Sequence, residues 1–416
     1  MNKNFTLYIL AAMMVGILVG VGIHENVPDP AAQQGWADNF KIVTDVFLRL
    51  IKMIIAPLVF ATLVAGIAHF GDTSSLGRVG LKTMGWFLGA SLISLTLGAV
   101  IVTLLQPGVG LSLPLPPADA SSGIQTASFT LKDFITHLVP KSIVEAMANN
   151  EILQIVVFSI FFGVSVAALG EKGKPLAELA EQVSQAMLKL TGYVMSVAPL
   201  AVFAAVAAVI ATKGLKVLVT YGAFIGGFYM ALAILWGLLL GAGFLVIGPR
   251  IGTLIGRIRE PTILAFSTAS SEAAYPKTME QLEKFGVSRK IASFVLPLGY
   301  SFNLDGSMMY CTFATLFIAQ AYGIHLTIPQ IATMLLLLMV TSKGMAGVPR
   351  ASLVVIAATL SFFKIPEAGI LIILAVDHFL DMGRSATNVI GNSVATAVVA
   401  KWEGELGEDE GVAVKA

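Results

Sequence analysis

The chain has 416 residues, of which 56 % are hydrophobic and 12 % charged, with a formal net charge of +1. That balance excludes a soluble multi-domain protein and a disordered chain, and no basic, aromatic-interleaved patch points to nucleic acid. A lone Cys311 excludes an intrachain disulfide, and five scattered histidines give no metal-ligand spacing.

Apolar stretches long enough to cross a bilayer recur along the sequence, predicting an all-α integral membrane protein. Leu7 to Ile23 is the first span, expected to be retained because no small-x-small cleavage pattern precedes Pro28. Phe40 to Ile67 is the second, carrying Lys52 and Pro57 and therefore expected to tilt or kink. Lys82 to Leu105 is the third, followed by a polar connection from Pro107 to about Val139. Ile152 to Leu169 is the fourth, and its start after ANNEILQ suggests a broken helix. Leu188 to Ala211 and Val217 to Ile247 are the fifth and sixth. Lys3, Arg78, Lys82, Lys172, Lys174, Lys189 and the Arg250, Arg257, Arg259 run share one side, which places the N-terminus in the cytoplasm.

The last third is different. Thr262 to Phe285 is interrupted by STASSEAAYP, Ile291 to Ala319 by SFNLDGSMMY, and Ile328 to Leu360 by TSKGMAGVPRAS. Broken helices leave backbone groups that are tolerable only beside protein or a cavity. Two short apolar arms joined by a polar tip read as a re-entrant hairpin reaching a midplane site. With both hairpins entering and leaving on one side, there are eight full spans, and the acidic tail lies inside with the N-terminus.

AVDHFLDMGRSATNVIGN closes the polar set. On one helix, Asp377, Asp381, Arg384, Asn388 and Asn392 line a single face, where ionised groups must look into protein or water. A salt-bridge lattice is the plain structural reading; a site for a zwitterionic or anionic molecule and a cation is the functional one. A channel is disfavoured because the two hairpin tips are unlike. His378, one residue off the stripe, is expected to face a neighbouring helix. No P-loop, GxSxG or dinucleotide fingerprint is present, so no enzyme and no cofactor is expected, and transport would run on an ion gradient.

The serine-rich tip STASSEAAYP, NLDG, GMAGVP and DMGRSATNVIGN, in this order, resemble the dicarboxylate/amino acid:cation symporter family over nearly the whole length. The resemblance implies an elevator fold of eight transmembrane helices plus two re-entrant hairpins, assembled as a homotrimer in the inner membrane. Residues 1–78 and 141–215 would be scaffold, and 107–140 an extracytoplasmic loop. Residues 79–106 and 216–400 would form the moving unit, with hairpins at about 256–286 and 328–360, and 401–416 a cytoplasmic tail.

Carried over residue by residue, Arg384 takes the substrate's side-chain carboxylate, Asp381 its amino group and Asn388 its main-chain carboxylate. Ser270 and Ser271 lie in the first tip, Gly347 and Val348 in the second, and Ser307 near the substrate. Pro349 and Arg350 belong to the gate. Asp377, Asn303 and Asp305 match cation positions, with Asn392 and Ser91 beside them; sodium-ligand candidates are Asn303, Asp305, Asp377 and Asn388. An arginine fork suits a carboxylate, and Asp381 suits an ammonium. Glutamate or aspartate is therefore expected ahead of a C4-dicarboxylate. Asn392 replaces an aspartate and NLDG replaces NMDG, which favours proton over sodium coupling, with sodium kept as the alternative. Glu272, placed beside Asp381 or Asp305, is the expected proton carrier, with Asp377 and Asp305 as competitors. Arg350 is expected either to pair with Asp381 or to steer anions at the lip.

Overall fold

The computed structural model describes residues 5–68, 73–110, 136, 138–215, 221–341, 351–374 and 376–409. Within them the chain is helical throughout. α1 is Phe5–Asn26, α2 Pro30–Ala68 and α3 Thr73–Leu105; α4 is Ile143–Ala148, α5 Ile152–Ala168, α6 Lys174–Met195 and α7 Ala198–Lys213. The last third gives α8 Gly222–Ile247, α9 Arg250–Thr268, α10 Ser271–Phe285, α11 Arg289–Phe302 and α12 Asp305–Ala321. α13 Ile328–Thr341, α14 Ala351–Phe362, α15 Ile370–Leu374 and α16 Asp377–Trp402 complete it.

Helices α1, α2, α3 and α8 are each long and apolar enough to cross a membrane. Together with the composition, they make the chain a multi-pass membrane protein. The second span is longer than its apolar run predicts and continues through Pro57 as one helix. The fifth is not one helix: α6 and α7 meet at a 52° bend. Pro199 stands in the first turn of α7, where its missing N–H costs nothing but where α6 cannot continue. The break before the fourth span is present, as the short helix α4 followed by Asn149 to Glu151.

α1, α2, α5, α6 and α7 pack with one another, whereas α3, α8, α9, α11, α12 and α14 gather around α16 or one another. The two groups touch where α2 runs along α10 and α11, α5 meets α11, and α1 and α7 meet α9.

Three breaks position the polar residues. Between α9 and α10, Ala269 takes a left-handed conformation (φ 50°, ψ 36°) that costs an alanine about 1–2 kcal/mol. Ser270 then caps α10 by accepting from the Ala273 N–H at 3.2 Å, and α9 and α10 fold back along each other. Asn303 and Leu304 separate α11 from α12. The third break, after Leu374, lets α16 begin at Asp377, so the entire charged stripe lies on one unbroken helix. The second tip, with Gly347, Val348, Pro349 and Arg350, lies outside the described residues.

Candidate functional site

α12 starts without a cap of its own, since Leu304 offers no side-chain acceptor. Its free N–H groups are met from α16. Asn388 Oδ1 accepts from Gly306 N at 2.9 Å and Ser307 N at 3.4 Å, while its Nδ2 donates to Ser307 Oγ at 3.2 Å. This satisfies orphan helix donors from a distant helix. It requires the two helices to touch: a Cβ on Gly306 would meet the Arg384 carbonyl, and one on Gly391 would meet the Asp305 carboxylate.

On one side of this crossing lies an amide–carboxylate knot. Asn303 Nδ2 donates to Asp305 Oδ2 at 3.0 Å and to Asn392 Oδ1 at 3.2 Å, and Ser94 Oγ donates to Asp305 Oδ1 at 3.3 Å. Asn303, Asp305, Ser94 and Asn392 are all buried. Asn303 Oδ1 and Asn392 Nδ2 have no hydrogen-bond partner among the described residues. Ser91 is buried on α3 one turn before Ser94, the serine whose hydroxyl reaches Asp305.

On the other side lie the charges. The Arg384 guanidinium donates to Asp381 Oδ1 through Nε at 2.9 Å and again through a second nitrogen, and it also reaches Ser352 Oγ of α14. Ser385 Oγ adds a 3.2 Å bond to the same Asp381 oxygen. The guanidinium carbon lies 5.7 Å from the centre of the Tyr310 ring, and Tyr310 OH donates to Asp377 Oδ1 at 2.7 Å. α8 supports this helix from behind, through Tyr229 OH to Phe379 O (2.6 Å) and Trp236 Nε1 to Thr387 Oγ1 (2.7 Å). The Arg384 and Asp381 side chains remain 14 % and 21 % exposed, enough for a ligand to reach them.

Asp377, His378 and Asp381 form one wall of a cavity of about 680 Å³, with Gln34 and Lys41 of α2 and Lys213 of α7 opposite. His378 therefore lines the approach to the charged pair.

Several expected neighbours are apart. Asp377 stands about 16 Å along α16 from Asn388 at 1.5 Å per residue. The four sodium-ligand candidates thus occupy two places, Asp377 in one and Asn303, Asp305 and Asn388 in the other. Ser270 bonds within its own hairpin, and Ser271 O accepts from Tyr300 OH at 3.0 Å. Glu272 is not beside Asp381 or Asp305. It lines a small cavity with Ile55 and Val59 of α2, Ile152 of α5, and Tyr275 and Tyr300, where the charge that acts on it is Lys52. Its position at the start of α10 fixes its depth but turns it toward α2.

Tyr310, Ser94 and Ser352 were not anticipated. Tyr310 follows Ser307 by three residues, so helical spacing from the NLDG break places it on the same face.

The model of the sodium:dicarboxylate symporter family matches residues 5–402. The chain is 39 % identical over 408 residues to a proton/sodium-glutamate symport protein of Bacillus caldotenax, covering 97 % of this chain and 95 % of that one. It is 40 % identical over 408 residues to the protein of the same description from Geobacillus stearothermophilus, with the same coverage. It is 38 % identical over 416 residues to a C4-dicarboxylate transport protein of Laribacter hongkongensis, covering 98 % and 91 %. This chain belongs to the sodium:dicarboxylate symporter family. It is a transporter rather than an enzyme.

Proposed function

We propose that this chain is a secondary transporter that carries L-glutamate or L-aspartate with protons across the inner membrane. The observation that carries the substrate assignment is the partly exposed Arg384–Asp381 pair, whose Asp381 lines the cavity. With no ligand, the two charges satisfy each other. An acidic amino acid replaces both partners at once, its side-chain carboxylate on Arg384 and its ammonium on Asp381. A C4-dicarboxylate takes Arg384 and leaves Asp381 an unpaired charge in a low dielectric, which costs roughly 3–5 kcal/mol. Asn388, one turn along α16 from Arg384, and Ser307, which Asn388 contacts, would take the main-chain carboxylate, and Gly347, Val348, Pro349 and Arg350, outside the described residues, stay our candidates for the second tip's substrate contacts and gate.

The relatives include both glutamate and C4-dicarboxylate carriers, so substrate choice rests on this pair. In proteoliposomes an inward pH gradient should drive labelled L-aspartate or L-glutamate uptake. Asp381→Ser should lose amino acid transport while sparing any succinate transport. Succinate uptake that outpaces both amino acids in the unaltered protein and survives the Asp381 change would refute the assignment.

The packing supports a reading of the coupling and the motion. Eight spans and two hairpins, α9–α10 and α13–α14, are read as an elevator. The α1, α2, α4, α5, α6 and α7 group is the fixed scaffold of a homotrimer, and the group around α16 is the moving unit. Arg78, Arg250, Arg257 and Lys290 meet the 403–409 segment at one end. By the positive-inside rule that end and both termini are cytoplasmic. Glu272 remains our proton carrier, now with Lys52 of α2 as its counter-charge. Proton binding would release the hairpin from the scaffold, and loss of the proton would hold it. Glu272→Gln should abolish pH-driven accumulation and leave substrate exchange intact; accumulation that persists would remove Glu272 from that role. A sodium ion on Asn303 and Asp305 is the second reading, favoured by the unpartnered Asn303 Oδ1. Uptake that follows sodium with no proton movement would select it.

A further inference from the structure

The outer face of α3 and α8 carries a groove of about 420 Å³ that the substrate site does not use. Trp86, Leu238 and Leu239 wall it, Gly89 leaves its floor open, and Lys82 and Trp402 close one end. Both helices are membrane-spanning candidates, so the groove opens onto hydrocarbon. A Cβ on Gly89 would meet nothing within 4 Å, so a larger side chain there has room to enter the groove.

The closed end is basic. Lys82 Nζ sits 2.7 Å from Glu403 Oε1 and donates to Trp402 O at 3.1 Å, and Arg78 Nη2 reaches the same Glu403 at 2.9 Å. Lys401 adjoins Trp402 and is exposed. Among the described residues, Lys82, Arg78 and Lys401 stand at this end beside the single carboxylate of Glu403, next to an apolar slot. An ammonium has three donors, and among the described residues two acceptors meet that of Lys82. The Trp86 ring lines the same groove, with its indole N–H buried beneath and without an acceptor among the described residues. Basic pockets between transmembrane helices are lipid-headgroup sites by this chemistry.

We infer that this groove holds one acyl chain of an anionic phospholipid, with its phosphate against Lys82 and Arg78. A zwitterionic lipid fills the slot equally well but gains less at the basic end. The occupancy is independent of which substrate the protein carries.

The test reads Trp86 directly. The full chain carrying Trp36→Phe, Trp236→Phe and Trp402→Phe is placed in nanodiscs containing phosphatidylglycerol or phosphatidylcholine with brominated acyl chains. Folding is checked by circular dichroism and size exclusion. Half-maximal quenching of Trp86 should need about fivefold less brominated phosphatidylglycerol than phosphatidylcholine, the preference one lysine supplies near a membrane surface. Lys82→Gln should remove that preference, and Gly89→Leu, which fills the slot, should cut quenching by both lipids. Should the three-Phe chain misfold, the same comparison is made as the difference between the four-tryptophan protein and its Gly89→Leu variant. Equal quenching by the two lipids would overturn the headgroup claim, and quenching indifferent to Gly89→Leu would overturn occupancy of the groove. Inorganic phosphate in the buffer should leave quenching unchanged. Competition by it would assign the basic end to a soluble anion and overturn the lipid assignment.

Discussion

The charges along α16 and those around residues 403–409 are assembled on opposite plans. Asp381 and Arg384 stand three residues apart on one helix, held by hydroxyls from Ser352 and Ser385. At the other end, Arg78 with Glu403, Arg257 with Asp409 and Arg289 with Glu181 each join segments more than a hundred residues apart. A pair along one helix can open without moving that helix, so a ligand can replace it. A pair between distant segments can open only by letting those segments part. The first arrangement responds to a ligand, and the second holds the ends of helices together.

The sharpest way to break this contrast is to remove one arginine from each set. Arg384→Ala leaves the Asp381 carboxylate without its cation in the protein interior and removes the substrate's anchor, so uptake should fall at least about 100-fold. Arg257→Ala takes its guanidinium away from the buried Asp409 carboxylate, so stability should fall by about 1–3 kcal/mol, but uptake by the folded protein should change less than about twofold because this pair holds no substrate. Equal losses would erase the distinction.

A second change acts on the crossing that makes the site. Gly391→Ala pushes a methyl against the Asp305 carboxylate. It should cost about 1–3 kcal/mol by overpacking, read as a lower melting temperature in detergent, with uptake lost in step. A smaller effect is expected of Tyr310→Phe, which removes the 2.7 Å bond to Asp377. Stability should fall by about 0.5–1.5 kcal/mol and the substrate KM should rise severalfold.

The smallest effect is a pH dependence at the far end. Burial pushes the Glu403 carboxyl upward, but hydrogen bonds and charge from Arg78 and Lys82 outweigh it and hold the group below the ordinary glutamate range. Because the folded value lies below the unfolded one, this contribution is complete above the ordinary glutamate range. It is lost as pH falls through the lowered folded value. A melting series should show stability declining below about pH 4.3, and Glu403→Gln should make that decline shallower.

The stripe from Asp377 to Asn392 was legible because charges and amides at helical spacing are rare in an apolar chain. The Asn303–Asp305 break was legible for the same reason. Tyr310, Ser94 and Ser352 were harder to see, since a hydroxyl or phenol inside an apolar run carries no comparable desolvation signal. Direction was the least legible quantity. Glu272 sits in the expected hairpin yet turns toward α2, and His378, expected to face a neighbouring helix, lines a cavity whose other walls come from α2 and α7. One residue of helix rotation is about 100°, and only the packing of α10 and α16 against their neighbours sets it. The fifth span misled because its hydropathy is continuous across Pro199, while its backbone is not.

The central claim is that a zwitterionic acidic substrate replaces both partners of the Arg384–Asp381 pair. Calorimetric titration of the purified protein with L-aspartate, L-glutamate and succinate, repeated on Asp381→Asn, tests it most directly. An acidic amino acid should bind at least about 100-fold more tightly than succinate, the ratio expected for roughly 3 kcal/mol of unpaired charge. Asp381→Asn should collapse that ratio by weakening the amino acid and not succinate. Succinate binding as tightly as either amino acid in the unaltered protein would contradict the account.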